Sequence, residues 1–391
     1  MTANTRQPGR HFLQLPGPTN VPDRVLHAIA LPVIDHRGPE FSTLALEVLD
    51  GLKPVFGCAG PVITFAASGT GAWEAAFTNT LSPGDTVLIV RTGWFATLWQ
   101  SLAKRLGLET IVLETDWRRG ADPAAIAAAL RADTGHRIRA VCAVHNETST
   151  GCTSPIPAIR AAIDAERHPA LLLVDAISSL GAIPYGHDEF GVDVTISGSQ
   201  KGLMMPPGLS FNAVSAKALA ASATARMARG YFDWRPMLES NAGGWFPFTP
   251  ATNMLRGLRE ALAMLREEGL ANVFARHARH GAATRAAVAA WGLEVQCAEP
   301  RDVSAAVTAV RMPEGHGADA LRAVILRRFN MSLGGGLGQL KDVVFRIGHL
   351  GDLSDLSLVG ALGGVEMGLA LAGVPHRAGG AQAALAVLAE G

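Results

Sequence analysis

The chain has 391 residues, 48% of them apolar and 17% charged, with 34 lysines and arginines against 34 aspartates and glutamates. That length and composition suit a well-packed globular protein of two domains and exclude intrinsic disorder. The balanced charge offers no sequence-wide attraction to nucleic acid or an acidic membrane, so the expected partner is a small molecule.

The polar N-terminus is followed by no apolar leader, and no run of about 18 apolar residues occurs, so a cytoplasmic location is expected. Cys58, Cys142, Cys152 and Cys297 lack CxxC and metal-ligand spacing and read as free thiols. Cys142 and Cys152 flank one polar turn and are candidates for proximity.

Residues 1–22 end in Leu15-Pro-Gly-Pro-Thr-Asn-Val-Pro22, too rich in proline for a helix, and read as an extended arm lying across something else, such as a second subunit. Residues 23–268 read as a large domain. Its apolar runs Pro61–Phe65, Thr86–Val90, Ile138–Val144 and Ala170–Val174 have the length and burial pattern of strands. Between them lie helical segments such as Asp122–Leu130, opened by an aspartate cap and a proline. Strand–helix alternation predicts an α/β fold with a mostly parallel sheet sandwiched by helices, and ligands bind such sheets beyond the carboxyl ends of the strands. Residues 252–290 read as one long helix, with Leu255, Leu258, Leu262 and Leu265 at helical spacing. Residues 269–391 read as a smaller α/β domain, with strands near Leu293–Cys297, Val303–Met312 and Val343–Gly348 and a helix over 317–329.

Five features fall just after predicted strands. Lys201 sits in Ser197-Gly-Ser-Gln-Lys-Gly202, before the stiff Met204-Met-Pro-Pro-Gly208. A lysine held there and partly buried has a lowered pKa and becomes nucleophilic, whereas a lone strand-end lysine is ordinarily just solvated. Asp175 ends the run Leu171–Val174, one strand–helix–strand unit upstream, and can emerge at the same sheet edge to pair with a pyridine nitrogen or merely to cap a turn. Ala67-Ser-Gly-Thr-Gly71 opens a helix and can cradle an anion, or serve as a plain N-cap. Trp94 can lay an indole over a planar ring or pack in the core. His145-Asn-Glu-Thr-Ser-Thr-Gly151 offers hydroxyls to a ligand or to its own turn.

Taken in order, these runs resemble the class V aminotransferases of pyridoxal-5′-phosphate (PLP) fold type I, and within them the serine–glyoxylate and alanine–glyoxylate branches. Pro16-Gly-Pro-Thr-Asn20, Leu172–Gly181, Gly191–Gly202, Phe246–Thr252 and Phe345–Gly351 extend the resemblance over nearly the whole chain. It implies that Lys201 carries PLP as a Schiff base and moves the substrate proton, and that Asp175 pairs with the pyridine nitrogen. It further implies that Trp94 stacks on the ring, Thr148 meets the phenolic oxygen, and Ser68, Gly69, Thr70 and Gln200 hold the phosphate. Thr249 would join that phosphate from the partner of a homodimer, and Arg346 would clamp the substrate carboxylate.

Departures lie at Phe246, where the alanine–glyoxylate branch has a tyrosine, and at Thr70, where it has a histidine. Both favour the serine branch, as does Asp35-His-Arg37, a run that reads equally well as a solvated turn. Trp245 and Phe248 make the neighbouring loop unusually aromatic.

The expected reaction is amino transfer from a small L-amino acid, serine favoured over alanine or aspartate, to glyoxylate. The rivals are a cysteine desulfurase-like lyase, for which only Cys297 is available, and a non-catalytic small-molecule binder. A nicotinamide dehydrogenase is disfavoured because Gly334-Gly-Gly-Leu-Gly338 lacks the GxGxxG spacing before a helix.

Overall fold

The computed structural model describes residues 9–390. The first strand, β1 (Phe12–Gln14), precedes a seven-stranded sheet built from β2 (Val62–Phe65), β3 (Thr86–Arg91), β4 (Glu109–Glu114), β5 (Ile138–Val144), β8 (Leu171–Asp175), β9 (Val194–Gly198) and β10 (Ser210–Val214). A small separate ladder joins β6 (Asn146–Glu147) to β7 (Cys152–Thr153). The large sheet has the order β2-β10-β9-β8-β5-β3-β4, and only β10 runs antiparallel to its neighbours. β2, β8, β9 and β10 are buried throughout because helices cover both faces. Two layers of core result, one around Phe41, Phe56 and Phe211, the other around Trp73, Phe77 and Trp99.

Two strands of the large sheet escaped the sequence-based expectation, as did Met331–Gly335 beyond it. β4 is an edge strand with alternating exposure, so it shows no continuous apolar run. β10 carries buried Ser210 and Asn212, which interrupt the apolar pattern, and Asn212 is satisfied by the Ala72 carbonyl and the Trp234 indole.

The long helix expected over 252–290 is two helices, Thr252–Glu268 and Leu270–Trp291, broken at Gly269, whose φ of +80° leaves the helical region. Beyond it a second sheet assembles β11 (Glu294–Val295), β12 (Val307–Arg311), β13 (Met331–Gly335) and β14 (Val344–Gly348). Its order is β1-β13-β14-β12-β11, so the arm supplies an edge strand paired parallel to β13. The described part of the arm thus packs on its own chain. Cys152 has its thiol against Cys297, not Cys142, because the hairpin turn carries it towards residues 297–304.

Candidate active site

Lys201 follows β9, and only 8% of its surface is exposed. Its Nζ donates a 2.6 Å hydrogen bond to the Pro16 carbonyl. The arm is stitched across the lysine loop, with the Thr19 amide donating to the Gln200 carbonyl at 3.2 Å. Gly17 makes this crossing possible: its φ is +101°, and a Cβ there would overlap the Lys201 side chain. Burial, aided by nearby Arg346 and opposed by Asp175, lowers the Lys201 pKa to about 8. About a tenth of the amine is therefore neutral at pH 7, rising to half near pH 8, and the neutral form is the one a nucleophilic amine requires.

Asp175 ends β8, two strands' width from β10, and is 4% exposed. Its Oδ1 accepts from the Ile177 amide at 2.8 Å, and its Oδ2 accepts from the Trp73 indole at 2.9 Å. Burial raises its pKa to about 7, against the pull of these donors. Trp73 lies on the helix Gly69–Thr80, so one hydrogen bond fixes the helix start relative to the carboxylate. At that start Ser68 and Thr70 are exposed, and the Ser68 side chain makes no capping bond. The Gln200 Oε1 is buried without a partner, and a Cβ on Gly198 would lie 3.0 Å from it and 3.7 Å from the Gly69 nitrogen. Gln200 therefore borders the cradle.

Arg346, on β14, reaches in from the small sheet. Its Nε donates to the Gly335 carbonyl at 2.7 Å and its Nη1 to the Thr148 carbonyl at 3.0 Å. The guanidinium is 7% exposed, and burial lowers its pKa to about 10 while Glu147 counteracts, so it stays charged at neutral pH. The Thr148 hydroxyl donates to Ser178 Oγ at 2.8 Å. Trp94 is half-buried at the start of the helix Trp94–Arg105, and Gly338 packs so closely that a Cβ there would lie 2.6 Å from the indole.

Lys201, Asp175, Thr148, Arg346 and the cradle residues Ser68, Gly69, Thr70 and Gln200 thus gather at the sheet's carboxyl edge. Exposed Thr249 instead lines a small cavity with Thr64, Phe65 and Ala66 of its own chain. Asp35 turns back to accept from the Arg37 amide at 2.9 Å. Sequence reasoning missed three participants. Pro16 and Trp73 gave no separable signal, whereas Glu147 was visible as the one acid in an otherwise neutral polar run.

The model of the family described as "Aminotransferase class-V" matches residues 11–336. The chain belongs to the class V aminotransferases. The serine–glyoxylate aminotransferase of Methylorubrum extorquens is 51% identical, covering 98% of this chain and 96% of the relative. The L-aspartate–glyoxylate aminotransferase of Paracoccus denitrificans is 44% identical, covering 95% and 94%. The crystal structure of the Bacillus subtilis ureidoglycine–glyoxylate aminotransferase superposes with a TM-score of 0.89 at 29% identity, over 99% of this chain and all of that one.

A class V aminotransferase is a PLP-dependent transaminase, and the residues present fit the cofactor. The unpartnered Gln200 oxygen and uncapped helix start suit a phosphate. The strongly desolvated Asp175 carboxylate suits a cationic ring nitrogen, whose charge would draw its pKa back down.

Proposed function

We propose that this aminotransferase moves the amino group of a small L-amino acid, serine by preference, to glyoxylate. The observation that carries the reading is the buried Lys201 amine, held between the charges of Asp175 and Arg346 beside an open anion cradle. Bound PLP supplies an electron sink for the pair left at the substrate Cα. Lys201 would hold the cofactor and move the proton at Cα, and Asp175 would keep the ring nitrogen protonated. Trp94 would cover the ring, and Thr148 would face its phenolic oxygen. Ser68, Gly69, Thr70 and Gln200 would bind the phosphate, joined by Thr249 of the partner subunit in a homodimer. Arg346 would grip the substrate α-carboxylate through its guanidinium fork.

The preference for serine over aspartate rests on charge. Among the described residues the buried cations are Lys201, Arg256 and Arg346. Arg256 is engaged by the Pro32 carbonyl and Glu40, and Arg322, near Arg346, is engaged by Asp319. A distal carboxylate therefore finds no spare buried cation, which leaves exposed Arg37 as its candidate partner and disfavours a dicarboxylic donor. The serine–glyoxylate relative at 51% identity supports the same reading. Exposed Leu26, Leu31, Val33 and Leu46, and separately the exposed stacked pair Tyr231 and Phe248, support a dimer. We take residues 23–268 and 269–391 as its two domains and the cytoplasm as its compartment; no helix among the described residues is long and apolar enough to cross a membrane.

The test is visible absorbance of the PLP-loaded protein during addition of L-serine, L-alanine or L-aspartate and then glyoxylate. A band at roughly 400–430 nm should be bleached fastest by serine and restored by glyoxylate. Bleaching by aspartate alone would transfer the preference, and no bleaching by any donor would overturn the reaction.

A further inference from the structure

Glu147 is a carboxylate with no exposed surface, and beyond helping Arg346 keep its charge it has no role assigned above. Its Oε1 accepts from the Ser149 hydroxyl at 2.6 Å, the Ser149 amide at 3.2 Å and the Phe95 amide at 3.3 Å. Its Oε2 accepts from the Ala96 amide at 3.2 Å. Phe95 and Ala96 belong to the first turn of the helix that Trp94 opens, where free amides need acceptors. The Trp94 amide itself donates to Ser149 Oγ at 2.9 Å. Ser149 therefore accepts from the Trp94 backbone and donates to Glu147, which fixes the direction of its single hydroxyl proton.

Gly93 makes this cap possible: a Cβ there would overlap Glu147 and lie 2.6 Å from Ser149 Oγ. The residue between the two capping side chains is Thr148, whose carbonyl holds Arg346. Among the described residues no carboxylate bonds to Arg346, and the acid whose charge acts on it is Glu147. The tripeptide Glu147-Thr148-Ser149 thus touches the Trp94 backbone on one side and the Arg346 guanidinium on the other. Gly335, whose carbonyl takes the other Arg346 bond, and Gly338, which presses on the indole, close the circuit from the small domain.

We infer that Glu147 is a positioning residue which, through Ser149 and Thr148, fixes Trp94 and Arg346 relative to each other, so that ring and substrate carboxylate are set by one segment. This deepens the reading above, since it takes Trp94 as the ring's cover and Arg346 as the carboxylate's clamp. In physical terms the tripeptide replaces two independent supports by one, and disturbing it moves both contacts together.

The test uses Glu147→Gln and Ser149→Ala proteins and their double variant. The amide of Glu147→Gln must set an N–H donor against the donors it now receives, while keeping volume. KM for both amino donor and glyoxylate is expected to rise about tenfold, the scale of one lost charge-assisted hydrogen bond. The circular dichroism band of bound PLP is expected to change in sign or intensity, because it reports ring tilt, and PLP affinity to fall about tenfold. Ser149→Ala should shift the same readings less, and the double variant should fall well short of the product of the single effects.

A lowered melting temperature of the cofactor-free protein with KM or the dichroism band unmoved would overturn the inference, because a purely structural cap gives that result. If Glu147→Gln does not fold, Ser149→Ala is measured by KM and dichroism in its place, and shifts in both support the inference while constancy of either overturns it. PLP affinity and dichroism need no amino donor, so a wild type that turns over no donor would sink the proposed reaction and leave this comparison standing.

Discussion

Lys201 shows how a single amine is prepared by its neighbours. Burial and Arg346 push its proton off, Asp175 pulls it back, and the balance lies near pH 8. The neutral form, present above that value, is the one able to attack a carbonyl, so PLP association with the cofactor-free protein should accelerate as pH rises through about 8. Stopped-flow absorbance across pH 6.5–9.5 would check this (a range of roughly one and a half units about that midpoint). The signs extend to variants: Asp175→Asn removes the charge that stabilises the ammonium and should move the midpoint down, while Arg346→Gln should move it up. Lys201→Ala should lose turnover by more than about a hundredfold, the lower end of what a positioned base contributes. Arg346→Lys keeps charge but loses the planar fork, and KM for donor and acceptor should rise about tenfold in steady-state assays. Asp175 and Lys201 stood out as candidates because one ends and the other follows a buried strand, whereas Arg346, in the middle of β14, was singled out only by the family resemblance. Glu147 stood out as the one acid of its run but its role did not: its carboxylate acts on a helix start some fifty residues away in sequence, a pairing no local pattern announces.

At the scale of elements, apolar periodicity was legible and interruptions were not. Leu255, Leu258, Leu262 and Leu265 all lie on the buried face of one helix, but the break at Gly269 was invisible because an isolated glycine costs a helix only about 1 kcal/mol. The helix after the break carries a pH-sensitive joint. His277 is fully buried; its Nδ1 lies 2.7 Å from the Val273 carbonyl and its Nε2 3.1 Å from the Gly351 amide. A carbonyl can only accept and an amide can only donate, so the ring is neutral with its proton on Nδ1. Burial lowers its pKa to about 4. An unfolded histidine titrates near 6.5, so between about pH 6.5 and 4 the unfolded chain holds a proton that the native state does not. Stability tied to His277 is therefore complete above pH 6.5 and lost on acidification, by up to about 1.4 kcal/mol per pH unit. Urea unfolding from pH 7 to 4.5 should show that slope reduced in His277→Asn, although the variant starts less stable at pH 7 because its packing is poorer.

For the whole molecule the decisive question is whether one chain makes one site. The arm crosses Lys201 within its own chain, and Arg346 arrives from the same chain's second sheet, so most of the site is internal. Thr249 is different: it is exposed, beside exposed Phe248 and Tyr231, which stack at a centroid distance of 5.1 Å. Such a loop is suited to reach a neighbouring copy across a two-fold axis, where each copy would give Thr249 and receive one. Shared sites make a complementation experiment possible. Lys201→Ala and Thr249→Asp chains, each inactive as homodimers, can be co-expressed with different tags and the mixed dimer purified. If Thr249 serves the neighbour, both lesions fall in one site and the other site is intact, so the mixed dimer should turn over at about half the wild-type rate. If Thr249 serves its own chain, each site carries one lesion and the mixed dimer stays inactive. Because the variants are the same in both cases, loss of stability cannot mimic recovery, and a positive result locates the phosphate threonine on the opposite chain from its lysine.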